Sequence, residues 1–296
     1  MDDATESYIM LLLADGNLPT GSFVASTGFE SYVKHGFFGT SLSNSDESAA
    51  ASSSARINQA VVNFVEDSLG TYAHSALPFV SDAHIAVMEY HNSEDRDYDS
   101  TLLRLGELDD LYHSMSLNDV TRRASKAQGV AILTLFSKGL TKPQLVSSGR
   151  NTGSLTVKEG DIYVRLVDEY KLKVRREDVH GHLPICWGIL TAALGLSLER
   201  SQYLHLFLQA RSLLSASIRL NRLGPYAAQQ ILLHVVKGIV ERQMTICRDV
   251  RSGLQPLSDD GHGEVLDNLK CAASTWPLGE ILAARHDLQH SRIFNS

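Results

Sequence analysis

Cysteine is scarce in this chain: Cys186, Cys247 and Cys271 are the only three in 296 residues, odd in number and far apart. That spacing argues against a disulfide framework and a cysteine-rich zinc site, and leaves core or unpaired thiols. Long apolar runs are missing too, none approaching the roughly 20 residues that span a bilayer. The acidic start, Met1-Asp2-Asp3-Ala4-Thr5-Glu6, is unlike a secretory leader. No membrane association is expected, and the cytoplasm is the expected compartment. Lys and Arg number 27 against 34 Asp and Glu, a formal charge of −7. The dense basic face that phosphate backbones demand is therefore lacking, and no nucleic-acid partner is expected. No glycine-rich loop precedes a Lys-Ser or Lys-Thr pair, so the backbone cradle that holds nucleotide phosphates is absent. A Gly-x-Ser-x-Gly elbow is absent as well, and Ser26-Thr27-Gly28 lies in a helical context without an evident base partner. No catalytic residue is assigned, and the chain is not expected to be an enzyme.

What is present is helical period. With 43% hydrophobic residues the chain can bury one large core or two small ones, and no boundary forces a split, so residues 1–296 are expected to form a single domain. Ile57, Val61, Val62, Phe64, Val65 and Leu69 recur at three-and-four spacing, and Pro78 is expected to open a second helix through Met88. The habit repeats over 101–115 and 119–138, while 185–194 is apolar nearly all round and therefore central. Residues 199–220 and 225–250 form a long pair, joined where Gly224 ends one helix and Pro225 starts the next. The expected fold is an all-α, single-domain helical bundle with loop insertions at 40–55, 91–100, 150–178 and 252–263. Within the third, Leu155, Val157, Ile162, Val164 and Leu166 partly alternate, which fits a charged hairpin about Glu159-Gly160-Asp161. A helix from Ile162 to Val174 fits equally well.

Three groups of residues carry chemistry. Near the start, Leu18-Pro19-Thr20-Gly21-Ser22-Phe23 is followed by Ser26, Gly28 and Glu30. Pro19 and Gly21 reset the backbone, Ser22 is placed to cap a helix, and the small residues would let a partner or another helix approach closely. Among 12 histidines, His286 and His290 are four apart, Glu177 and His180 have Glu-x-x-His spacing, Asp110 and His113 are analogous, and His182 follows Gly181. Solvated or locally hydrogen-bonded histidines account for each set better than metal ligation does, and no metal site is assigned. Arg211, Arg219 and Arg222 add fixed charge to a small-residue helix, which suits either carboxylates across an interface or internal pairing.

The first of these groups resembles the urease accessory protein F family, UreF. Three further stretches agree in order: Arg122-Arg123-Ala124-Ser125 to Leu135, Gly181-His182-Leu183-Pro184 to Gly195, and Ala210-Arg211-Ser212-Leu213-Leu214-Ser215-Ala216 to Leu232. The close, from Ala284-Arg285-His286 through Gln289-His290-Ser291-Arg292-Ile293-Phe294-Asn295-Ser296, is similar to the family's terminal signature, with His290 where an aromatic is usual. Together the blocks cover about two thirds of the chain and suggest a eukaryotic, fungal-like member. The resemblance implies an all-α homodimer with no tightly bound cofactor. It implies binding of a UreD/UreH-type accessory protein, recruitment of the GTPase UreG, and delivery of nickel, the transferred ion, to apo-urease. In that frame Pro19, Gly21, Phe23, Ser26, Gly28, Glu30, Arg211 and Arg219 are expected to dock the GTPase or the second copy. Arg285, His286, Gln289, Ser291, Arg292, Phe294 and Ser296 are expected to dock the UreD/UreH-type partner, with the tail ordering on it.

Overall fold

The computed structural model describes residues 2–22, 25–37, 49–92, 97–141, 157–254 and 271–294. Helices account for nearly all regular structure there; the one β contact is an isolated bridge between Arg251 and Cys271. In chain order they are α1 (Asp3–Leu13), α2 (Pro19–Ser22), α3 (Phe29–Lys34), α4 (Ala49–Asn92), α5 (Tyr98–Met115), α6 (Asp119–Leu135) and α7 (Val157–Arg175). Then follow α8 (Leu183–Ala193), α9 (Leu198–Arg219), α10 (Pro225–Ile231), α11 (Lys237–Ile246) and α12 (Pro277–Ala284). Among the described residues no helix is long and apolar enough to cross a membrane.

The organising element is α4, 44 residues long and so about 66 Å at 1.5 Å per residue. Its first half sends Phe64, Val65 and Leu69 into one buried cluster with α3, α9, α10, α11 and Leu282 of α12. Its second half sends Phe79, Val80 and Val87 into another, built around α8 with α5, α6 and α7. α8 is buried on every side, as its composition implies, and Gly188 sits where a Cβ would come within 2.7 Å of the Val80 carbonyl oxygen. A glycine there lets α8 approach the α4 backbone.

The expected break at Pro78 does not occur. Proline removes one ladder hydrogen bond, and the carbonyl left over, that of His74, is taken by the Ala273 N–H at 3.2 Å. The helix therefore runs on with its polar groups satisfied. The loop boundaries tighten for similar local reasons. α4 already begins at Ala49, inside the expected 40–55 insertion, and ends at Asn92. Asp97 caps α5 by accepting the Ser100 N–H, so 91–92 and 98–100 of the expected 91–100 loop are helical. Over 150–178 the helix prevails over the hairpin, because Ile162, Leu166, Val167, Tyr170 and Val174 fall on one face and pack into the α8 cluster. Residues 38–48, 93–96, 142–156 and 255–270 lie outside the described residues. The carboxylate of Asp82, buried in α4, fixes Ser252 through its N–H (2.9 Å) and hydroxyl (2.5 Å). Two helices end or continue through π turns, at Phe136–Leu140 and Leu232–Val236, so 225–246 is one rod with a wide turn inside it.

Candidate functional site

The motif near the start and the signature at the end, some 260 residues apart, are brought together. α2 stops at Ser22, so Ser22 closes a short helix and does not cap a long one. The chain then turns through Thr27 and Gly28, both at positive φ (46° and 84°), and α3 begins at Phe29. α12 lies directly on this turn: a Cβ on Gly28 would sit 3.0 Å from the Ala283 nitrogen and 3.1 Å from Leu282 Cβ. Only glycine meets both the dihedral and the space. Behind it, Phe29 and Tyr32 pack on Phe64 of α4 (ring centroids 4.9 and 5.0 Å), and Trp276 meets Phe64 edge-on at 5.3 Å.

Glu30 is the anchor. It is 1% exposed, and an isolated carboxylate in that position would carry a desolvation penalty of several kcal/mol. Its oxygens instead receive the Ile293 N–H at 3.0 Å and the Phe294 N–H at 3.4 Å, with the Lys34 ammonium 3.2 Å away. Lys34 also donates to the Ser291 carbonyl, and Gln289 Nε2 donates to Ser31 Oγ at 2.5 Å. The tail is closed on itself by His286, fully buried in a 3₁₀ turn (Arg285–Leu288). His286 Nε2 lies 3.0 Å from the Phe294 carbonyl oxygen. A carbonyl cannot donate, so Nε2 carries the proton and Nδ1 accepts from the Ser26 hydroxyl at 3.5 Å. Ser26 thus has the base partner that its local sequence did not reveal. Both side chains are 0% exposed and the ring's second nitrogen is committed to backbone, so the pair serves as a structural hydrogen bond.

The docking residues expected from the sequence therefore divide. Ser26, Gly28, Glu30, His286 and Phe294 are buried and hold the two ends together, while Gln289 is half-buried on Ser31. Arg285, Ser291 and Arg292 face outward. The tail to Phe294 does not wait for a partner to take a defined path, because it lies on α3. His286 and His290 share no helix face: the 3₁₀ turn ends at Leu288, with His286 buried and His290 exposed. Phe23 and Ser296 lie outside the described residues, and of Gly21 only the backbone is described. Pro19 is half-buried in α2, Arg211 reaches back to the Ala14 carbonyl, and Arg219 is exposed at the end of α9. On the outer side Asp287 accepts Arg123 Nη2 on both oxygens at 3.1 Å and Arg292 Nη1 at 2.5 Å. Partial burial raises the Asp287 pKa, but the hydrogen bond and charge of Arg123, with Arg292, outweigh it and leave the group below its ordinary range. Around these charges stand large apolar side chains more than half exposed: Ile281 (57%), Leu288 (76%) and Ile293 (60%). Nothing local to α6 or to the tail marks Arg123 as the partner of Asp287, and only the fold makes that pairing.

Beneath α12 the turn at Thr27 and Gly28 borders a cleft of about 130 Å³, lined mostly by apolar groups such as Met115, Val120 and Leu183, with the hydroxyl and amide groups of Ser68, Ser125 and Gln128 among them. The remaining histidine candidates gather elsewhere: His113, His180, His182 and Asp110 meet where α5 faces the turn before α8. His113 and His180 stack face to face with centroids 3.6 Å apart, and imidazoles ligate in the ring plane, so stacked rings do not converge on one ion. Among the described residues no group of three or more His, Cys, Asp or Glu is arranged to hold a metal.

Fold and site together define an all-helical protein whose first and last segments interlock around one buried carboxylate. The chain belongs to the UreF family: the UreF family model matches residues 57–236. It is 38% identical over 314 residues to urease accessory protein 6 of Cryptococcus neoformans, covering 99% of this chain and 98% of that one. It is 28% identical to an uncharacterised urease accessory protein UreF-like of Schizosaccharomyces pombe, over 100% and 99% of the two chains. The urease accessory protein UreF of Corynebacterium efficiens is 24% identical over 77% of each.

Proposed function

We propose that this protein is a non-catalytic urease maturation factor that assembles with a UreD/UreH-type accessory protein and the GTPase UreG to deliver nickel to apo-urease. Its membership of the UreF family carries the reading. In support, the chain lacks the phosphate loop of a nucleotide hydrolase, and the serine–histidine contact between Ser26 and His286 is sealed from solvent. The outward Arg285 and Arg292, with Ile281, Leu288 and Ile293 beside them, form the face offered to the UreD/UreH-type partner, since arginine and exposed apolar groups are typical anchors. Residues 19–28 and the exposed end of α9 at Arg219 are assigned to the GTPase and the second copy. The scaffold works by differential affinity: preferring one nucleotide state of the GTPase, it shifts that state's population and couples nickel release to the assembled complex. Nickel is cargo, and the protein works in the cytoplasm without a tightly bound cofactor.

A strain lacking this protein should make urease that is present, inactive and free of nickel. Normal urease activity and nickel content in that strain would overturn the assignment. Replacing Arg285 and Arg292 together by alanine should abolish co-purification of the UreD/UreH-type protein from cells expressing both, at unchanged helical circular dichroism; undiminished co-purification would remove this face from the interface.

A further inference from the structure

His113 of α5 and His180 and His182 of the turn before α8 form a cluster of three imidazoles apart from the interlocked ends. His113 Nδ1 lies 3.0 Å from His182 Nε2, and His113 stacks on His180 with 9° between the planes. The same turn is gripped by Asp109 of α5, whose buried carboxylate accepts the Gly181 N–H at 2.6 Å and the His182 N–H at 2.9 Å. Every element packed here contributes charge or a titratable group. From α5 come Asp109 and Asp110, the latter 3.4 Å from His180 Nε2, together with Tyr112, edge-on to His182. Arg122 and Lys126 of α6 bear on His113 and His182, the buried hydroxyl of Tyr170 comes from α7 and the buried thiol of Cys186 from α8.

A contact between two imidazole nitrogens holds one proton, so His113 and His182 meet this way only while at least one nitrogen is bare. His182 is fully buried and its Nδ1 has no partner, so a proton added there would be an unpaired N–H next to the cations of α6. Two charged rings stacked at 3.6 Å would repel as well. We propose that this cluster is a proton-operated latch: while uncharged it fastens the start of α8 to α5 and α6, and on taking up protons it lets the turn over 176–183 go. Burial first, then His113, His180, Lys126 and Arg122, hold the His182 pKa down to about 3, and burial, His180, Arg122 and Lys126 depress that of His113. For a group depressed on folding, the unfolded form binds the proton first. The latch is therefore fully closed above an ordinary histidine pKa of about 6.5 and weakens as pH falls below it.

Amide hydrogen exchange on the full chain tests this, with protection factors corrected for the intrinsic pH dependence and compared at about pH 7.5 and about pH 5.5. Protection over 180–183 should fall roughly tenfold or more, while amides of α1, which carries no histidine, keep theirs. Unchanged protection over 180–183, or a loss in step with α1, would overturn the latch. His113→Gln should reduce the pH dependence of the 180–183 amides, the part owed to burial of His182 remaining. Should that variant not fold, His180→Gln at the half-exposed ring should reduce it, and a folded variant with the wild-type pH dependence counts against the proposal.

Discussion

α8 and the α3–tail junction are both buried, yet they are held by opposite means. α8 is apolar on all sides and wedged among α4, α5, α6, α7 and α9, so its position follows from volume and area, which many side chains share. The junction rests on a few directed contacts, Glu30 to two backbone N–H groups, His286 to Phe294 and Ser26, and Gly28 beneath α12. A region held by packing loses stability by degrees. One held by a single buried charge lets go when that charge loses its partners.

The largest effect is expected from Trp187→Ala in α8, because Trp187 is 1% exposed and donates to the Ser201 carbonyl at 3.1 Å. Its loss should cost about 3 to 5 kcal/mol and lower the whole helical melting transition. Glu30→Ala should cost about 3 kcal/mol, most of it local. Limited proteolysis should then clip the last ten or so residues while the main melting transition moves less than for Trp187→Ala. A shift as large as that of Trp187→Ala would erase the distinction between the two regions. Gly28→Ala, strained in both φ and space, should cost about 1 to 3 kcal/mol and open the same cleavage site. Arg123→Ala removes a half-exposed pair and should change stability by less than about 1 kcal/mol. A greater loss would show that the outer charges, and not only Glu30, keep the tail down.

The sequence already displayed the rods of this fold. Three-and-four spacing placed α5, α6, α8 and α9 within a few residues, because each buries one face or all of them. It went wrong at Pro78, where the remedy for the missing N–H comes from Ala273, and it left α7 undecided because its period is shared with a strand over so short a span. The candidate site was legible as two motifs and illegible as one place. Ser26 and His286 carry no local sign of each other, and Glu30 reads as a surface carboxylate of an early helix until the tail covers it. Burial of a charge depends on distant chain, which periodicity cannot report.

Pro78 has a consequence of another kind. Along a regular helix the carbonyls are spoken for, and a segment returning to it finds no preferred place to stop. The carbonyl that Pro78 leaves open at His74 is an address: Ala273 binds it, the register of 271–276 is thereby set, and Trp276 arrives opposite Phe64. Shifting that proline by one turn would leave the composition of α4 intact and send the returning segment to a different address.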